Sequence, residues 1–204
     1  MATSDQMAYG VPMVSVVAGG LCVPYPVELI VKKKHHGFFD VNYQVLDVKG
    51  NLFLQVDGSY MSLYRKRIMR DPAGFPILTM REKAITGQKW AVHRGESSDR
   101  GDVIFSVQRS HCNHMKTRLQ VFLPSNITQD ICNFQVVTSY PFKSATVYKG
   151  DSAIAEVNYN LLWKSFCKGT KEDFRVKVYP GVDYAFIVAL LIILVESNIM
   201  FCAA

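Results

Sequence analysis

The run Asp183-Tyr-Ala-Phe-Ile-Val-Ala-Leu-Leu-Ile-Ile-Leu-Val-Glu196 limits the folds open to this chain more than any other stretch. Twelve consecutive apolar residues, Tyr184 to Val195, leave no polar face, so a helix here must be buried on every side. Twelve residues of helix span only about 18 Å, whereas a bilayer core needs roughly 20 residues. Protein, not lipid, is therefore the expected surrounding. Pro180-Gly181 breaks what comes before, Asp183 can cap the amino end, and Ser197-Asn198 supply a polar stop, which predicts a helix over 183–198. The β-branched residues Ile187, Val188, Ile192, Ile193 and Val195 make a very buried strand the alternative, and length favours the helix.

The rest of the chain must then supply the wrapping. From Pro24 to Gly181 the pattern is one of short β-rich runs punctuated by turn residues. Leu119, Val121 and Leu123 alternate with Arg118 and Gln120, and Phe174, Val176 and Val178 alternate with Asp173, Arg175 and Lys177. Each such strand has one dry and one wet face. Turn signals at Lys49-Gly-Asn51, Asp71-Pro-Ala-Gly74, Gly95 to Asp99 and Lys149-Gly-Asp151 imply consecutive antiparallel strands. About twelve are expected, near 27–33, 38–41, 43–48, 51–57, 60–69, 75–82, 88–94, 102–109, 117–123, 131–138, 144–149 and 153–159, with a further strand at 172–179. The segment Val45 to Leu54 echoes Ile68 to Leu78, each reading as strand, Asp/Gly turn, strand. A barrel of about twelve strands leaves a lumen that needs filling, and a helix about 10 Å wide fits it. The expected fold is mainly β: a closed antiparallel barrel around its own carboxyl-terminal helix. Residues 1–23 read as a loose tail and 24–204 as a single domain.

Five scattered cysteines, Cys22, Cys112, Cys132, Cys167 and Cys202, suggest neither a disulfide framework nor a zinc ribbon, and point to a reducing, intracellular compartment. The amino terminus lacks a basic n-region, and Asn126-Ile-Thr128 then reads as a chance sequon. No catalytic motif and no cofactor-binding motif stands out, so a non-enzymatic protein without cofactor is expected. His111-Cys-Asn-His114, with Cys132 or Cys167, lacks the second close ligand pair of a structural zinc site and reads as solvated linker. The formal charge is +6, which favours acidic partners. The candidates for an anionic-lipid patch are Lys32, Lys33, Lys34, Arg65, Lys66 and Arg67. On a strand, Arg65 and Arg67 share one face and Lys66 takes the other. No aromatic residue adjoins Lys32 to Lys34, which disfavours nucleic acid, whose bases stack on aromatic rings.

Four ordered motifs, Leu46-Asp-Val-Lys-Gly-Asn-Leu52, Asp71 to Lys83, Trp90-Ala-Val-His-Arg-Gly-Glu96 and Val178 to Ile187, closely resemble the plant LURP-one-related family over about Pro24 to Glu196. That family is similar in fold to the tubby carboxyl-terminal domain and to phospholipid scramblases. The resemblance implies a twelve-stranded barrel around a hydrophobic helix, and roles in plant defence and membrane-tethered signalling. The scramblase traits of an acidic calcium loop and a cysteine cluster are missing here. The leading expectation is a monomeric protein of the cytoplasm, a membrane periphery or the nucleus that binds anionic phospholipid or phosphoinositide. A ligand or protein scaffold without lipid affinity is the alternative, and a transcription-related regulator, by tubby analogy, is the third.

Overall fold

The computed structural model of the chain describes residues 7–8, 11–36, 40–59, 65–83, 89–112, 116–139, 144–159 and 173–198. After a two-residue pairing of β1 (Met7–Ala8) with β2 (Val11–Pro12), twelve strands follow one another around a closed barrel. They are β3 (Val27–His36), β4 (Asp40–Asp47), β5 (Leu52–Ser59), β6 (Arg67–Arg70), β7 (Pro76–Glu82), β8 (Lys89–Arg94), β9 (Val103–Cys112), β10 (Lys116–Phe122), β11 (Phe134–Thr138), β12 (Ser144–Lys149), β13 (Ser152–Tyr159) and β14 (Asp173–Val178). Every strand is antiparallel to its neighbours in sequence, and β14 closes the ring on β3 with Val178 opposite Val27 and Asp173 opposite Lys32. The fold expectation is met. One strand pair is not: where two strands are expected at 38–41 and 43–48, residues 40–47 form the single strand β4, in which Val41, Tyr43 and Val45 point in while Asn42 and Gln44 point out. Asn42 is an outward position, not a break.

Helix α1 (Tyr184–Asn198) runs through the lumen, and Ala185 to Leu194 are at most 2% exposed. Its side chains interlock with inward-facing residues around the wall. Phe186, for example, meets Phe105 edge-on at 5.1 Å and Phe134 at 4.9 Å between ring centroids. The internal echo is realised as one turn used twice. Asp47 Oδ1 accepts from the Asn51 amide at 2.8 Å with Gly50 at φ 90°, and Asp71 Oδ1 accepts from the Phe75 amide at 2.8 Å with Gly74 at φ 92°. Both glycines occupy the left-handed region that other residues avoid.

The amino end of the helix shows the main departure from expectation. Residues 14–23, read as part of a loose tail, lie against the barrel mouth. Val14 and Val17 are buried, Val14 donates its amide to the Gly181 carbonyl at 2.8 Å, and Gly181 donates to Val23 at 2.7 Å. Asp183 joins the segment to the helix. Its Oδ1 accepts the Phe186 amide at 3.0 Å as a helix cap, and its Oδ2 accepts the Val17 and Ala18 amides at 2.8 and 3.1 Å. Burial raises the pKa of this carboxyl group, and the backbone amides oppose that rise. Cys22 beside it is pushed up to about 11 by burial and by Asp183, so its thiol stays protonated. No helix among the described residues is long and apolar enough to cross a membrane.

Candidate functional site

The opposite mouth of the barrel holds the carboxyl end of the helix, where the last carbonyls lack intrahelical partners and carry partial negative charge. The chain adds a full negative charge there, Glu196, which is completely buried. Two inward side chains meet this carboxylate, and two more meet the helix's last carbonyls. Arg67 Nη2 meets Glu196 Oε2 at 2.9 Å with neither side chain exposed, and the Tyr43 hydroxyl donates to Oε1 at 2.6 Å. Arg65 Nη1 donates to the Glu196 carbonyl at 3.1 Å, and Arg109 Nη1 to the Ser197 carbonyl at 3.0 Å. Glu82 stands behind Arg65, with Oε2 3.5 Å from Nε. Burial lowers the pKa of Arg109, which still carries its proton at neutral pH. Cations at a helix carboxyl end are the favourable sign for its dipole, so three arginines and a tyrosine hold the plug by its end.

Gly58 makes room for this arrangement. It lies opposite Arg67 across β5 and β6, and a Cβ there would fall 2.5 Å from Arg67 Cδ and 2.6 Å from the Lys66 carbonyl oxygen. The carbonyl belongs to backbone and cannot swing away. We expect Gly58→Ala to cost about 1–3 kcal/mol by overpacking, a fall in Tm of roughly 2–12 °C, readable by calorimetry. An unchanged Tm would show that the β5–β6 spacing is looser than this.

The pleat divides the sequence-predicted cations between inside and outside. Lys33 follows Val27, Leu29 and Val31 on the inner face and is 6% exposed, whereas Lys32 and Lys34 are half-exposed on the outer face. Arg65 and Arg67 do share one face, but it is the inner one. Arg67 is therefore corrected from candidate lipid ligand to buried ion-pair partner, and Lys33 likewise from surface to interior. Arg65 is engaged with the helix end, with its side chain 20% exposed. Lys66 keeps the outer face. Three residues not singled out in the sequence join Lys32, Lys34 and Lys66 on the outside of this mouth: Lys83 and Lys89 beside the ends of β7 and β8, and Arg118 on β10, all exposed. They come from three separate stretches of sequence, so no run of consecutive cations marks them.

The other sequence features lie elsewhere. His111 and Cys112 end β9 at this mouth, while Cys132 sits half-buried in the β10–β11 loop at the opposite one, so that pairing is not assembled. Asn113, His114 and Cys167 fall outside the described residues. Among the described residues no group of three His, Cys, Asp or Glu side chains is placed to hold a metal. A groove of about 300 Å³ on the outer wall, lined in part by Glu28, Glu156, Arg175 and Lys177, presents charges of both signs.

Residues 27–195 match the family model described as LURP-one-related. The chain is 47% identical over 197 residues to the Arabidopsis thaliana protein LURP-one-related 14, covering 95% of each, and 38% identical over 180 residues to LURP-one-related 15, covering 87% of this chain and 82% of that one. An X-ray structure of an Arabidopsis thaliana protein superposes with a TM-score of 0.69 at 35% identity, covering 90% of this chain and 98% of the other. A barrel with its own helix for a core, and a relative matched nearly end to end, lead to one conclusion: the chain belongs to the LURP-one-related family.

Proposed function

We propose that this protein is a non-enzymatic intracellular docking module that sets the helix-carboxyl mouth of its barrel against an anionic membrane surface in defence-linked signalling. The observation that carries this reading is the placement of Lys32, Lys34, Lys66, Lys83, Lys89 and Arg118 on the outside of one mouth. Each cation held near an anionic leaflet contributes about 1 kcal/mol, so six together reach the range of reversible peripheral binding. The buried helix takes no part in this attachment, since the barrel already covers its apolar surface. The defence link rests on the family resemblance.

Co-sedimentation with phosphatidylserine or phosphoinositide vesicles tests the reading. Binding should weaken as salt rises from 50 to 300 mM, because screening shortens the reach of exposed charge. Lys32→Glu/Lys34→Glu should cut partitioning by at least about tenfold with Tm unchanged, since both side chains face outward. Lys33 is left alone in this variant because it faces the interior. Wild-type protein that ignores such vesicles at 50 mM salt would refute the reading.

A further inference from the structure

We propose that the loop 123–133, at the mouth opposite the basic one, is a docking platform for a basic protein segment that carries an apolar anchor. This inference goes beyond the membrane reading and does not depend on it. Ile127 and Ile131 on this loop are 89% and 81% exposed, more than any other large apolar side chain among the described residues. Two such residues four apart in one loop are an apolar display with no intramolecular use.

The loop is built to hold them. Asn133 Oδ1 accepts from the Leu123 amide at 2.9 Å and from Asn126 Nδ2 at 3.0 Å. Asn126 Nδ2 also donates to the Ile131 carbonyl at 2.7 Å, and Asn126 Oδ1 accepts from the Gln129 amide at 3.2 Å. The Asn133 amide returns to the Val121 carbonyl at 2.9 Å, closing the loop onto β10. Gln129 takes a left-handed φ of 56°, a conformation kept where surrounding bonds over-determine it. A display fixed in advance loses little freedom on binding.

Charge selects the occupant. Asp130 is exposed between the two isoleucines. Glu96, Asp99 and Asp102 are exposed on the β8–β9 connection leading into β9, the neighbour of β10, and Asp151 is exposed on the turn after β12, the neighbour of β11. Arg100 and the strand-end residues Arg94 and Lys149 are the exposed cations at the same two connections, and Arg70 holds Glu96 in an ion pair at 2.6 Å, so Asp99, Asp102, Asp130 and Asp151 stand against three bases. With Asp130 set between the two apolar anchors, this acidic excess favours a lysine- or arginine-rich protein segment over an anionic membrane. The apolar pair then anchors what the charges attract.

The test is selection of a random phage-displayed peptide library on the immobilised full chain, in parallel with the Ile127→Ser/Ile131→Ser variant, after calorimetry shows equal Tm. The expected result is enrichment on the wild type of peptides that combine Lys or Arg with aliphatic or aromatic residues. A synthetic copy of the leading peptide should bind the double variant at least tenfold more weakly, and Asp130→Lys several-fold more weakly, with the loss shrinking at high salt. No enrichment, enrichment of acidic peptides, or equal affinity for the serine variant would overturn the proposal. Loss of vesicle binding by the serine variant would also overturn it, by making the loop a membrane anchor. The peptide selection contains no lipid, so failure of the membrane reading leaves its outcome intact.

Discussion

Glu196→Ala lowers the thermal midpoint by about 6–20 °C. The substitution removes the carboxylate that faces Arg67 at 2.9 Å and accepts the Tyr43 hydroxyl at 2.6 Å, both in fully buried surroundings. Taking one partner out of a buried pair costs about 3–5 kcal/mol, because the remaining charge keeps its desolvation penalty and loses its compensation. For a chain of 204 residues each kcal/mol moves Tm by about 2–4 °C. The double replacement Arg67→Met/Glu196→Leu should recover most of the loss, since apolar residues of similar volume often replace a buried pair without penalty. Scanning calorimetry on the three proteins decides the point. A shift below about 2 °C for Glu196→Ala would mean that the pair is wetter than its burial indicates.

Leu190→Asp has the larger effect: no soluble, cooperatively melting protein. Leu190 is fully buried at the middle of the plug, surrounded by barrel residues on every side. An aspartate there must either ionise without a partner or fold as a neutral acid with unmade hydrogen bonds, at several kcal/mol in either case. With the cavity left by leucine added, the cost approaches the whole stability of an ordinary domain, about 5–15 kcal/mol. Leu190→Met, similar in volume, should cost less than about 1.5 kcal/mol and serves as the control. Size-exclusion chromatography and near-ultraviolet circular dichroism read both variants. A monomeric Leu190→Asp protein with unaltered melting would place the helix outside the barrel.

The plug was legible because twelve apolar residues admit few surroundings, and the wall because alternation shows wherever one face of a strand is dry. Arg65 to Arg67 misled for a physical reason. A charge run signals water until an opposite charge is placed beside it, and that charge, Glu196, lies 129 residues away from Arg67. A carboxylate ending an apolar helix was the available sign that a cation must come to it. Lys33 was within reach of the pattern, since it continues the inward series Val27, Leu29, Val31. The docking of residues 14–23 was not, because their amides bond to Asp183 across 165 residues or more of chain and no local periodicity records that. The exposed lysines at the ends of β7 and β8 gain meaning only when the barrel brings them to one mouth.

The proposal that matters most is that the basic mouth meets the membrane, and hydrogen–deuterium exchange with and without phosphoinositide vesicles tests it directly. Slowed exchange is expected at residues 65–66, 83, 89 and 116–118, with the loop 123–133 unchanged. Slowing confined to residues 123–133, or no change anywhere under conditions where the protein co-sediments, would contradict it.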